Sequence, residues 1–181
     1  MDSKTTQIGL TNVVIGSALV WLMIMQRNIV SWEGLLFWLA TLTFIGHWYW
    51  GLIAYIKYIG PTENLLEFFL DLAAVGSLVS TIFWLGMPLV WFLLNALSFS
   101  LAITKYVISL KTRQLSPALI SYIKEKMRIH SAGVAGILLG VPAVMYFKPV
   151  WVLALLTLLI HLLLIIYLTV NKIYDFEEPL A

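Results

Sequence analysis

Three acidic side chains at helical spacing are the first residues in this chain whose types could do chemistry. Glu63, Glu67 and Asp71 recur at every fourth position, and on an α-helix this spacing places them within about 80° of one another on one face. The apolar stretch that follows, 73–85, carries Asp71 into the hydrocarbon of a membrane. An acid at that depth costs about 2.5 to 3.5 kcal/mol, so we expect it to have a partner or a function.

Lys105 is the basic residue that matches Asp71 in depth. Counted from the cytoplasmic ends of their predicted helices, the two residues lie at similar levels, with Asp71 roughly 9 Å inside at about 1.5 Å per residue. A buried pair of Asp71 and Lys105 would fix the register of two helices. The alternative is that the acidic face forms a cytoplasmic entrance for a cation or a proton. Asn12 and Thr104, at similar depth, would line such a polar path.

A second polar layer is predicted near the midplane of the membrane. His47 and His161 share this level on different helices, which is the minimum geometry for axial ligation of a haem or for a proton relay. Each histidine could equally be hydrogen-bonded to a neighbouring helix. Asn95 and Ser98 add an amide and a hydroxyl near the same depth, where such groups commonly join helices. No other cofactor and no metal site is indicated.

The composition limits the class of protein to which these residues belong. Of the 181 residues, 61% are hydrophobic and 11% are charged, whereas soluble domains carry about 25% charged residues. We therefore expect a polytopic membrane protein with no separate soluble domain. The absence of cysteine excludes disulfides and thiolate chemistry. Phosphate-binding loops, nucleophile elbows and metalloprotease motifs are also missing, which disfavours an enzyme, and nothing indicates a nucleic-acid partner.

Six apolar runs are long enough to cross about 30 Å of hydrocarbon as helices. They form a single all-α transmembrane domain over residues 1–181, with spans at about 8–26, 34–56, 65–85, 88–109, 130–147 and 150–171. Lysine and arginine concentrate on the cytoplasmic side of membrane proteins. With six spans, nine of the eleven basic residues fall on one side. Both termini are therefore predicted to be cytoplasmic, in three helical hairpins crossing the inner (plasma) membrane of the cell.

The segment 116–129 is predicted to be a short amphipathic cytoplasmic helix that lies on, or runs into, the fifth span. Pro117 suits a first helical position. The apolar residues Leu119, Ile120, Ile123 and Met127 form a stripe opposite the basic residues Lys124, Lys126 and Arg128. We expect anionic lipid headgroups to hold this region at the membrane surface. The basic residues assigned to those contacts are Lys111, Arg113, Lys124, Lys126 and Arg128. The alternative is a docking site for a partner protein.

Small residues follow one another along the fifth predicted span. Gly133 begins the series, and Gly136 and Gly140 are spaced as in the G-x-x-x-G pattern, which permits close approach of two helix backbones. Pro142 is expected to kink the span. This helix is therefore predicted to pack closely, either inside the bundle or between protomers.

The residues from Glu67 to Val75 resemble a signature of a known family. They are similar to the Glu-Leu-Phe-Phe-Asp-Leu-Val-Phe-Val motif of the bacterial low-temperature-requirement A (LtrA) family of membrane proteins. The matching positions are Glu67, Phe69, Asp71, Leu72 and Val75, and Leu70 stands where the family has phenylalanine. The resemblance covers these nine residues and implies a helical membrane protein with Asp71 in the motif.

Two functional hypotheses follow from these observations. The first is a small channel or carrier for an ion, a proton or a small solute, in the form of a homo-oligomer with a polar path near Asp71. The second is a non-catalytic subunit of a larger membrane complex, in which the polar residues specify helix packing.

Overall fold

A computed structural model describes residues 3–27, 29, 31–61 and 64–146, and in addition residues 152, 155, 158, 159, 162, 163, 165 and 166. Within these residues the structure defines five α-helices and one 3₁₀ helix, and no β-strand. The helices are α1 (Ser3–Gln26), α2 (Trp32–Tyr58), α3 (Leu65–Ser80), α4 (Pro88–Thr112) and α5 (Pro117–Tyr146), and the 3₁₀ helix Thr81–Trp84 extends α3. The predicted all-α class is confirmed.

Four helical segments are long and apolar enough to cross a membrane. They are Lys4–Gln26, Trp32–Tyr58, Leu65–Trp84 and Pro88–Thr112, and they coincide with the first four predicted spans. The fifth predicted span, 130–147, falls in α5 apart from its last residue, and most of the sixth, 150–171, lies outside the described residues. The membrane-helix character of the chain is therefore supported, and the total of six spans stays a prediction.

Local chemistry explains where the helices begin. Ser31 precedes α2 in an extended conformation, and its hydroxyl accepts the Gly34 N–H at 3.1 Å. The Asn64 side chain accepts the Leu66 N–H at 2.8 Å in the same way at the start of α3. These are N-caps, which satisfy backbone donors that a helix leaves unpaired. Gly60 adopts a positive φ of 102° in the connection from α2 to α3, a conformation that glycine adopts without strain.

The core lies between α2 and α4, which run in the same direction. Phe37 near the start of α2 contacts Trp91 near the start of α4, with ring centroids 5.2 Å apart. Farther along, Tyr55 of α2 and Ser109 of α4 share a hydrogen bond of 2.7 Å. The Trp91 indole N–H donates to Thr41 at 2.8 Å, so this fully buried ring is also satisfied as a hydrogen-bond donor.

Helix α1 packs antiparallel to α2 through two interhelical hydrogen bonds. The Trp38 indole N–H donates to the Leu22 carbonyl at 2.8 Å. At the other end, the Tyr49 hydroxyl donates to Asn12 Oδ1 at 3.0 Å. Asn12 therefore holds two helices together at the edge of the bundle.

Helix α5 decides between the two alternatives for the amphipathic segment 116–129, which was predicted to lie on, or to run into, the fifth span. The structure has one continuous helix of 30 residues, Pro117–Tyr146, so the segment runs into the predicted fifth span. The buried positions Leu119, Ile123, Lys126, His130 and Ile137 are three, four or seven residues apart, which places them on a single helix face. This face packs inward from Leu119 to Ile137, whereas Leu138, Leu139, Met145 and Tyr146 farther along α5 are exposed.

Pro142 lies inside α5, and the three predicted packing glycines differ in their surroundings. A Cβ atom at Gly133 would lie 3.5 Å from the Phe99 ring, so α5 does approach α4 closely there. A Cβ at Gly136 or Gly140 would have no neighbour within 4 Å in the described part of the chain. Close packing through the Gly136 and Gly140 pair therefore stays a prediction.

Candidate functional site

Asp71 and Lys105 form the ion pair that their equal depth predicts. Lys105 Nζ donates to Asp71 Oδ2 at 2.6 Å, with the lysine side chain 3% and the aspartate side chain 16% exposed. The ammonium also lies 3.5 Å from the centroid of the Tyr55 ring, a cation–π contact. The pair joins α3 to α4, and Tyr55 brings α2 to the same point.

A second ion pair, between Glu67 and Arg113, was not anticipated from the sequence. Arg113 Nη2 donates to Glu67 Oε2 at 2.9 Å, and the glutamate is fully buried. The same guanidinium donates to the carbonyls of Ile59 and Pro61, at 3.4 and 3.0 Å. Thr112 adds a hydroxyl bond to Glu67 Oε1 at 3.2 Å. Arg113 therefore holds the α2–α3 connection against α3, and its contact with lipid headgroups stays a prediction.

The other predicted members of the acidic and polar path lie apart from these pairs. Thr104 is exposed and donates to the Ser100 carbonyl of its own helix at 2.9 Å. Asn12 contacts Tyr49, as described above. Glu63 lies outside the described residues. The pocket that contains both Asp71 and Lys105 is lined by residues of α2, α3, α4 and α5, and neither Asn12 nor Thr104 is among them.

The predicted midplane residues divide into two groups. Asn95 donates to the Trp91 carbonyl of its own helix at 2.8 Å, and Ser98 donates across to the Ala74 carbonyl at 2.8 Å. Both are buried and join or brace helices. His47 instead lies beside His130, with ring centroids 6.5 Å apart. The predicted partner His161 lies outside the described residues, so the haem and relay hypotheses for that pair stay predictions.

His130 occupies an aromatic enclosure that unites three helices. Its ring centroid lies 5.9 Å from that of Trp48 on α2, and 5.3 and 5.6 Å from those of Phe99 and Tyr106 on α4. Its Nδ1 is 2.7 Å from the Lys126 carbonyl one turn earlier. The sequence placed His130 at the cytoplasmic boundary of a span, and its contacts with α2 and α4 were missed.

Lys126 is the largest departure from the predicted site. It was assigned to lipid headgroups, but its side chain is inside the bundle and the residue is 1% exposed. Burial lowers the pKa of Lys126 to about 7, because desolvation disfavours the charged ammonium. The burial of Lys126 could have been predicted from helical spacing. The residue lies three positions after Ile123 and four before His130, on the apolar face of the helix. Lys111, Lys124 and Arg128 are exposed, and their contact with lipid headgroups stays a prediction.

Two cavities meet at Asp71. An interior cavity of about 20 Å³ lies between α2, α3, α4 and α5. An apolar crevice of about 60 Å³ lies between α1, α2 and α3, with Gln7 and Thr11 among its few polar residues. Leu52 and Asp71 line both. Asp71 therefore lines both the apolar crevice and the polar interior cavity, and Lys105 lines the interior cavity.

The interior cavity collects most of the ionisable side chains described above. Its polar lining consists of His47, Trp48, Tyr55, Asp71, Lys105, Tyr106, Lys126 and His130. Within the described part of the chain, no group of three or more histidine and acidic side chains is arranged to hold a metal ion. The arrangement is suited to hydrogen bonding, charge pairing and proton exchange, since it brings two lysines, two histidines and one carboxylate together.

Comparisons with known proteins do not extend these observations. No protein-family model, no curated protein and no solved structure matches this chain.

Proposed function

We propose that this protein is a small membrane carrier that moves an ion, a proton or a small solute past the Asp71–Lys105 pair. It has six membrane spans with both termini cytoplasmic, resides in the inner (plasma) membrane, and assembles as a homo-oligomer. One observation carries the proposal: Asp71 lines both the apolar crevice and the interior cavity. A group that bridges two compartments in this way is positioned to pass a ligand between them.

The partial exposure of Asp71 favours this role over a purely structural one. Removing one partner of a buried ion pair lowers the free energy of unfolding by about 3 to 5 kcal/mol. A pair that serves only packing is therefore expected to be fully shielded from solvent. Asp71 is 16% exposed, while Glu67 in the neighbouring pair is fully buried. The passing ligand would separate Asp71 from Lys105 transiently during each transport cycle.

The second candidate is an accessory subunit of a membrane complex, and the completeness of charge pairing favours it. The α3–α4 layer consists of the two acids of α3, Glu67 and Asp71, and their basic partners Arg113 and Lys105. Each acid contacts its partner at 2.9 Å or less. Such pairs can fix helix register without any transport. The likeness of the segment from Glu67 to Val75 to the LtrA signature is compatible with either function, because it contains both acids.

Flux measurements with purified protein in lipid vesicles separate the two candidates. Wild-type protein should dissipate a salt or pH gradient faster than empty vesicles, and Asp71→Asn or Lys105→Gln should reduce that rate at least about tenfold, a change of roughly 1.4 kcal/mol in the barrier. Lys111→Gln, an exposed change on the same helix as Lys105, should retain the wild-type rate and is the matched control.

Two results would contradict the carrier. One is the absence of any wild-type flux for protons, monovalent cations and small anions. The other is equal flux in all four proteins, which would show that the Asp71–Lys105 pair serves helix packing and that transport follows a different route.

A further inference from the structure

A buried N–H group that borders the interior cavity has no hydrogen-bond acceptor within the described residues. Trp48 lines this cavity and is 7% exposed, yet its Nε1–H has no hydrogen-bond partner within the described residues. An indole nitrogen can only donate, and a buried donor left unsatisfied costs about 1 to 3 kcal/mol. Such a group in a cavity indicates that an acceptor binds there.

The charges around the cavity favour an acceptor that is negatively charged. Among the described residues, the lining includes two ammonium groups, Lys105 and Lys126, and a single carboxylate, Asp71. That carboxylate already accepts from Lys105 at 2.6 Å. A protonated Lys126 therefore leaves the cavity with a net positive charge in a region of low dielectric, where an anion gains most from the interaction.

The size of the cavity limits the ligand to a small one. A volume of about 20 Å³ exceeds the roughly 10 to 15 Å³ that a single buried water requires. Gly51 contributes to this space, since a Cβ atom at that position would lie 3.5 Å from Lys126 Nζ. A large organic anion does not fit without rearrangement of the surrounding side chains.

We propose that this cavity binds one small monovalent anion, such as chloride or formate, between the Trp48 N–H and the Lys126 ammonium. This inference deepens the carrier proposal and rests on it for its physiological meaning, because it names the substrate class of the same site. The anion enters from the Asp71 side, where the crevice and the cavity share Leu52 and Asp71.

Proton binding accompanies anion binding at this site. Around Lys126, the titratable groups are His47 and Tyr55 from α2, Asp71 from α3, Lys105 and Tyr106 from α4, and Tyr122 and His130 from α5 itself. Burial lowers the pKa of Lys126 to about 7, so the ammonium is largely lost above neutral pH. Affinity for the anion should be constant below pH 7 and fall about tenfold per pH unit above it, because only the protonated lysine attracts the anion.

Thermal unfolding of the full-length protein in detergent tests the site without reference to transport. Chloride or formate replaces gluconate, a larger monovalent anion, at constant ionic strength. At pH 6 a saturating small anion should raise the Tm of the wild type by about 2 to 4 °C or more, and at pH 9 the increase should disappear. Lys126→Gln should abolish the increase at pH 6, and Trp48→Phe, which removes only the N–H, should reduce it.

Matched controls exist for both substitutions. Lys124→Gln and Trp50→Phe change exposed residues on the same two helices and should keep the wild-type response. The proposal is overturned if Lys126→Gln responds like the wild type, or if chloride, formate and gluconate stabilise equally. Should Lys126→Gln fail to fold, the comparison of Trp48→Phe with Trp50→Phe decides alone. Anion binding without vesicle flux refutes the carrier and leaves the anion site, whereas flux without anion binding refutes only the anion site.

Discussion

The α3–α4 layer and the α5 face of the interior cavity bury charge in two different ways. In the α3–α4 layer, Asp71 and Glu67 each contact a basic group, Lys105 and Arg113, at 2.6 and 2.9 Å. On α5, Lys126 lies between aromatic rings and histidines, and its ammonium is 5.9 Å from the Tyr122 ring centroid. Coulomb attraction within a close pair offsets the cost of desolvation. For Lys126 the cost of desolvating the ammonium exceeds the stabilisation that its surroundings provide, so its pKa falls towards neutrality.

The comparison separates buried charges that are held in close ion pairs from a buried lysine whose charge depends on pH. The Glu67 carboxylate, held at 2.9 Å by the Arg113 guanidinium, has its counter-charge within the pair. A lysine with a pKa near 7 changes charge under physiological conditions. The paired layer is therefore suited to holding helices in register, and the α5 face is suited to binding and release.

Loss of Arg113 should produce the largest effect. Arg113→Met leaves Glu67, which is fully buried, without its counter-charge, and we expect a loss of about 3 to 5 kcal/mol in the free energy of unfolding. Denaturant titration in detergent measures it. The double variant Glu67→Gln with Arg113→Met should recover most of the loss, and the exposed change Lys111→Met should have little effect. If Arg113→Met were as stable as the wild type, the claim that the Glu67–Arg113 pair stabilises the α3–α4 layer would be wrong.

Lys126→Met should act in the opposite direction and depend on pH. The unfolded lysine has a pKa near 10.5 and the folded one near 7, so the folded state is penalised in full below pH 7. The penalty declines between pH 7 and 10.5, where the unfolded state binds more protons, by about 1.4 kcal/mol per pH unit. Relative to the wild type, the methionine variant should gain about 2 to 4 kcal/mol at pH 6 and lose that advantage towards pH 10.

Unfolding titrations of both proteins at pH 6, 8 and 10 would measure this difference. Lys124→Met, exposed on the same helix, should show no such trend. A stability difference that is independent of pH would mean that Lys126 keeps its charge throughout, and the contrast between the two regions would disappear.

Lys105→Met should cost less than Arg113→Met. The carboxylate left behind, Asp71, is 16% exposed and lines the apolar crevice, so water can solvate it. We expect a loss of about 1 to 3 kcal/mol. The same unfolding assay ranks the two variants, and a larger loss for Lys105→Met would show that the Asp71 pair is the more deeply buried one in the membrane.

Gly51→Ala should have the smallest effect on stability and a selective effect on binding. The added Cβ would lie 3.5 Å from Lys126 Nζ, an ordinary contact distance, and alanine favours a helix by about 1 kcal/mol over glycine. Stability should therefore change by no more than about 1 kcal/mol, while the Tm increase with formate should shrink as the cavity narrows. Gly46→Ala, also in α2 and with no neighbour within 4 Å in the described residues, is the control.

Part of the site could be predicted from the sequence because depth along a helix is a local property. Counting residues from the span ends placed Asp71 and Lys105 at one level, and the two side chains are in contact. Arg113 was assigned to lipid because its position after the end of a span resembles that of any headgroup-binding residue. Its real partners, Glu67 and two carbonyls of the α2–α3 connection, are more than 40 residues away in the chain. Periodicity carries no information about such contacts.

The case of Lys126 shows the same limit on a single helix. Residue type suggested a solvated face, whereas helical spacing puts Lys126 beside Ile123 and His130. Residue type predicted exposure, and helical spacing predicted burial. The packing of α5 against α2 and α4 buries Lys126. His47 likewise could be placed in depth from the sequence, but its neighbour His130 depends on how two helices rotate about their own axes.

Residue patterns along the chain are sufficient to predict that it is helical, that it has segments long and apolar enough to span a membrane, and that Asp71 and Lys105 lie at similar depth. These properties follow from hydrophobic length and turn chemistry, which act over a few neighbouring residues. Only the tertiary structure decided that Arg113 is paired with Glu67 and that Lys126 faces an interior cavity. The physical reason is that burial of a polar group depends on helices that are distant in the chain, and on the partners those helices provide.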